Sequence, residues 1–285
     1  IATNKQTYTL TYMETIDFEY LDMFNITNTS HLFDMVDYTS AYWDCHSSLI
    51  SITWGKKFNT TNVTDMSSMF AGLDKLETID LSSFNMKNVI NVQSMFSLAA
   101  SLETIEVSNW DTSSIEYMST LFYKTTALRN LDVSNWDTSN VKEMRQLFYD
   151  SGIQELDLSK WNTSKVTDLQ GLFESTNIKN LDLRIFDTSN VKDMSYMFYG
   201  FSDNTIDVSS FNTSNVTDMG SIFSNAKNIE YLNLDSWNTS KVTNMKSAFY
   251  GMKNLKTIDF KNLDLSNASN LMGMFYNSRL LTNIY

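Results

Sequence analysis

Proline is absent from the 285 residues and glycine occurs only eight times. No flexible linker or domain break is therefore marked in the chain. A single cysteine, Cys45, excludes an intrachain disulfide. Apolar runs of the roughly 18 residues that a membrane-spanning helix needs are missing too. Basic residues are scarce: 21 Lys and Arg face 33 Asp and Glu, for a net charge of -12. Phosphate backbones are held by basic stripes, so nucleic acid is excluded as a partner, while cationic partners or divalent ions stay compatible. C-x-x-C and H-E-x-x-H spacings and glycine-rich phosphate loops do not occur. Of two histidines, His31 stands alone and His46 adjoins Cys45. A catalytic pair must face across a pocket with a third group orienting it, so no enzyme is expected.

What the chain has is a period. Phe70, Phe96, Phe122, Phe148, Phe173, Phe198, Phe223, Phe249 and Phe275 follow one another at gaps of 26, 26, 26, 25, 25, 25, 26 and 26 residues. Twelve residues before each stands a second anchor: Phe58, Phe84, Trp110, Trp136, Trp161, Phe186, Phe211, Trp237 and Leu263. A fixed period of this size marks a stack in which each repeat covers its neighbour's apolar face. Between the anchors, Val63, Met66 and Phe70 stand at i, i+3 and i+7, and Val141-Met144-Phe148 and Val216-Met219-Phe223 repeat the phrase. That spacing predicts a short helix, with Asn62 and Asp65 as its start. Sixteen methionines fall mostly on its inward positions and read as adaptable core filling. After each Phe, a phrase such as LETIDL alternates apolar and polar residues, as a strand with one covered face does. One repeat departs, with Asp203 where the first leucine should stand and Phe201 as its replacement. The predicted fold is a right-handed α/β solenoid, leucine-rich-repeat-like, with one short parallel strand and one short helix per 25–26-residue repeat.

The phrase WDTSNVKEMRQLFYDSGIQELDLS resembles the BspA-like leucine-rich repeats of bacterial cell-surface proteins, in the variant found in lactic acid bacteria and mycoplasmal lipoproteins. Residues 58–285 fit that pattern well and 31–57 loosely. The resemblance implies an extracellular, bacterial cell-surface, non-enzymatic adhesion module that binds a host or cell-surface protein or glycan. Family repeats often carry a cysteine shortly after the Phe; here Leu73, Ala99, Thr125 and Ser151 stand there.

Residues 1–30 read as an N-terminal cap, with KQTYTLTY as a strand, because such a stack must cover its first open face. Residues 31–57 read as a degenerate opening repeat anchored at Trp43, and 58–285 as nine repeats, the last truncated. Leu281 and Ile284 stand where a further strand begins, so the chain reads as a piece of a longer protein.

Three rows of residues are candidates for function. Asp80, Glu106, Asp132, Asp157, Asp182, Asp207 and Asp259 lie between inward strand residues and point outward, with Asn233 interrupting them. Stacked like charges repel, so their pKa values are expected to rise unless a cation, a partner or neighbouring hydroxyls and turn amides compensate. Weak calcium binding is one form of that compensation, although a flat row offers few oxygens to one ion. A second row, from Asn59 and Asn85 through Asp137 to Asn238, reads as turns and caps. Tyr123, Tyr149, Tyr199, Tyr250 and Tyr276 form a third row, suited to glycan or protein recognition or to packing over a helix end. The positions beside the acidic row vary: Thr78, Thr104, Asn130, Glu155, Asn180, Thr205, Tyr231 and Thr257. Variation on one face favours a binding module over its alternatives, a spacer displaying another domain or a polysaccharide-binding accessory module of an enzyme.

Overall fold

A computed structural model describes residues 12–37, 44–45, 47–55, 57–261 and 263–284. The predicted strand at 5–12 (all but Tyr12), the anchor Trp43 and His46 lie outside the described residues. The chain winds into stacked coils of one repeat each. The Phe line runs down the stack as near-parallel rings, from Phe33 on Phe70 at 5.7 Å through Phe122 on Phe148 at 6.1 Å to Phe249 on Phe275 at 5.3 Å. Beside it Trp110, Trp136 and Trp161 stack at 6.0 and 6.4 Å. The Trp136 and Trp161 indoles donate to the carbonyls of Val107 and Val133, which satisfies the one polar group each ring buries.

The expected helix is not there. Among the described residues no helix forms, and the α/β solenoid with one helix per repeat is incorrect. The segment from Met144 to Asp150 shows why. The amides of Met144, Gln146, Phe148 and Asp150 donate to the carbonyls of Asp168, Gln170, Leu172 and Glu174 in the next repeat, at 2.7 to 3.2 Å. A helix would spend those amides on carbonyls four residues back. The amides in between close turns, Leu147 onto Met144 and Tyr149 onto Gln146. Gln146 and Asp150 take φ of 51° and 49°, and the same pair of left-handed residues, four apart, recurs in nine coils from Ser68 and Gly72 to Gly273 and Asn277. Positive φ at the third residue of a turn is the type II geometry. Five of the eight glycines, Gly72, Gly171, Gly200, Gly251 and Gly273, sit at these places. Val63, Met66 and Phe70 do all point inward and are fully buried, but successive turns rather than a helical stripe put them there.

Asp65, the expected helix residue, instead accepts from the Ser67 amide at 2.9 Å, and Asn62 reaches back to the Phe24 carbonyl at 2.7 Å. The turn reading of the second row agrees with the geometry: Asn59, Asn85, Asp137 and Asn238 each accept from the amide two residues on. The next residue in most repeats is a buried threonine. Thr138 Oγ1 donates to the Asn162 carbonyl at 3.0 Å and accepts from the Asn162 amide at 2.8 Å, and Thr60, Thr213 and Thr239 repeat the exchange.

Strands are shorter and fewer than one per repeat. β1 (Thr15–Phe18) runs parallel to β4 (Ser51–Trp54), pairing Ile16 with Ile52, and β2 (Val36–Asp37) meets β3 (Asp44–Cys45) antiparallel. β5 (Thr78–Ile79) and β6 (Thr104–Ile105) form a parallel pair, and β7 (Tyr231–Asn233), β8 (Thr257–Asp259) and β9 (Asn283–Ile284) a parallel trio. No strand forms between residues 106 and 230. Where strands do form, Thr78, Thr104, Tyr231 and Thr257 fill the outward position, β-branched or aromatic as pleated backbone favours. Asn130, Glu155, Asn180 and Thr205 fill it where they do not. The three repeats of 25 residues also fall here, one residue shorter between Phe and strand phrase. Phe201 is buried and edge-on to Phe198 at 5.7 Å, taking the core place that Asp203 leaves.

Phe148→Ala should cost about 3–5 kcal/mol in denaturant unfolding, because the ring is shared by two neighbours. Phe275→Ala, half-buried at the last coil, should cost clearly less; equal losses would contradict stacking. Thr138→Val should cost about 1–3 kcal/mol, since it removes the hydroxyl partner of both the amide and the carbonyl of Asn162. A neutral Val variant would remove the threonine line from the account.

Candidate functional site

The acidic row lies on the strand face, and Asp80, Glu106, Asp132, Asp157, Asp182 and Asp207 are exposed there. Its carboxylates are not left to repel one another. The Ser134 hydroxyl and amide donate to Asp132 at 2.6 and 3.0 Å, Ser209 treats Asp207 likewise, and the Ser82 and Ser159 amides cap Asp80 and Asp157. Hydrogen bonds to the charged form favour it. The Ser82 amide lowers the Asp80 pKa, and serine hydroxyls lead the lowering at Asp132, Asp157 and Asp207. At these four, the hydroxyls and turn amides supply the compensation and the rise does not occur. Asp182 differs: Arg184 stands where most other repeats have serine and grips both carboxylate oxygens, at 2.9 and 2.6 Å, lowering its pKa to about 2. Asp259 accepts from the Tyr231 hydroxyl at 2.6 Å. Held in the charged form, the row stays anionic on an exposed face. Among the described residues, no three acidic, His or Cys side chains converge as a ligand set.

The face is not uniform along its length. At the junction between the last short repeat and the next long one, a groove of about 650 Å³ opens, lined by Asn180, Leu181, Asp182, Arg184, Asn204, Thr205, Ile206, Asp207, Glu230 and Tyr231. Asp203 lies beside the opening, next to Asn204 of its lining. Its carboxylate is largely buried and accepts from the amides of Asn180 and Asn204, with Lys179 Nζ at 3.6 Å. Asn180 is turned to a φ of 52°, off the strand line. Two members of the acidic row thus meet three of the variable positions in one concavity. Arg184 and Glu230 were not picked out by sequence reasoning, although Arg184 breaks an Asp-x-Ser pattern in plain view.

The tyrosine row lies elsewhere, on the turns after each Phe. Tyr123 stacks on Tyr149 at 4.5 Å and Tyr250 on Tyr276 at 5.5 Å, while Tyr199 accepts from Asn225. Burial pushes Tyr123 up to about 12. There is no helix end for these rings to cover; they pack along the stack. Glu174 takes the tyrosine's place in its own repeat, and burial raises its carboxyl to about 7, against the Gln146 hydrogen bond and with help from Asp150.

A family model described as "Mycoplasma protein of unknown function, DUF285" matches residues 6–104, 36–155, 119–231 and 200–284. The chain belongs to that family. Four overlapping matches across one chain make it a repeat protein, and each match spans several of the coils described above. No curated protein matches it. Among the described residues no helix is long and apolar enough to cross a membrane.

A carboxyl whose folded pKa is raised favours the folded state below its ordinary pKa of 4.5 and loses that contribution as pH rises through about 7. Glu174→Gln should therefore raise the melting midpoint at pH 8 and leave it nearly unchanged at pH 4.5. The same gain at both pH values would argue against a titrating Glu174.

Proposed function

We propose that this DUF285 chain is a non-catalytic binding module of the bacterial cell surface, which holds a host or neighbouring-cell ligand on its strand face. The groove at Asp182 and Asp207 carries this reading. It is the place where the acidic row, the variable outward positions and a concavity coincide. The scaffold favours the same use. Its walls are fixed by hydrogen bonds within the stack, so a ligand meets groups already ordered and little is lost in ordering them. A spacer has no need of such an opening. The repeat phrase shared with BspA-like surface proteins supports the extracellular setting and the kinship, though not a helix-bearing coil.

Asp182→Asn combined with Asp207→Asn should leave the melting curve close to the parent's and weaken attachment to host cells or matrix by about tenfold, the worth of roughly 1.4 kcal/mol. Undiminished attachment by the folded double variant would move the site off this face.

A further inference from the structure

Resting on that reading, we propose that the groove is a carbohydrate subsite, built for an uncharged oligosaccharide with Tyr231 as the platform for a sugar ring. A pyranose presents a C–H face and a rim of hydroxyls. Its recognition calls for one fixed aromatic surface and several planar polar groups that can donate or accept in pairs. Tyr231 supplies the surface: its side is half exposed, at 51%, while its hydroxyl is tied to Asp259 at 2.6 Å, so the ring is open to ligand but held in place. Asn180 and Asn204 supply amides with both a donor and an acceptor, and Thr205 a hydroxyl. Leu181 and Ile206 add the apolar area. The groove's volume is within the range of sites that enclose a small ligand.

Charge selects among sugars. Two of the groove's carboxylates are already neutralised, Asp182 by Arg184 and Glu230 by Lys256 at 2.7 Å. Asp207 bonds to Ser209 rather than to a basic group. The groove therefore carries a small negative balance, which disfavours sialylated or uronate chains and accepts neutral ones. A protein partner is the less suitable occupant. A stable protein interface buries about 800 Å² on each side around aromatic or aliphatic anchors, and here the one exposed ring stands among amides and carboxylates.

The test is calorimetric titration of the full chain with chitotriose, lactose and maltotriose, and with sialyllactose as the charged comparison. At least one neutral sugar should bind with a Kd between about 10 μM and 1 mM. Tyr231→Ala should weaken it by about tenfold or more, Tyr231→Phe, which keeps the ring but loses its tie to Asp259, should weaken it less than Tyr231→Ala, and Asn204→Ala should weaken it without loss of the ring. Absence of binding to every neutral sugar at about 10 mM, preference for sialyllactose, or full binding by folded Tyr231→Ala and Asn204→Ala would each overturn the proposal. If the Asp182/Asp207 variant loses cell attachment while no sugar binds, the strand face remains the binding surface and only its carbohydrate assignment falls.

Discussion

Everything in this molecule follows from where alternate backbone amides send their hydrogen bonds. A buried N–H must have a partner, and in each coil but the last alternate amides of the Met-to-Phe segment find theirs in the next repeat, while those between close turns in their own. This sets the coils at a ring-stacking distance, and the phenylalanines meet at about 5 to 6 Å down the whole stack. It also demands a chain that reverses twice per repeat within eight residues, and left-handed backbone at two places supplies the reversals. Buried threonines complete the scheme where coils meet out of strand register, serving one amide and one carbonyl with a single hydroxyl.

The period, the two aromatic lines and the Asx turns were open to sequence reasoning, because each is a residue type recurring at a fixed place for one physical reason. The helix was misread because a helix and a run of tight turns can both put Val141, Met144 and Phe148 inward. Periodicity reports which side chains are covered, not which carbonyl accepts each amide. The better signal lay in Gly72, Gly171, Gly200, Gly251 and Gly273, set where helix interiors avoid glycine. Strand loss in the middle was legible in part, from Asn130, Glu155 and Asn180 at the outward position, but Thr205 keeps threonine in a coil that also lacks a strand.

The candidate site was half legible. Alternation put Asp182 and Asp207 on the exposed face, and the mismatch at Asp203 was visible. Alternation could not show that Asp203 would turn inward to take two amides beside the groove. Nor could it show that serines two residues on would hold the carboxylates charged. The groove lies where the last of three shortened repeats meets the next long one, and the face regains its strands only at Tyr231.

Scalar coupling across hydrogen bonds, measured by NMR on deuterated protein, tests the central claim most directly, since it identifies the acceptor of each amide. The account predicts that the Phe148 nitrogen couples to the Leu172 carbonyl of the following repeat. Coupling to the Met144 carbonyl, four residues back, would restore the helix and contradict the stacked-turn coil.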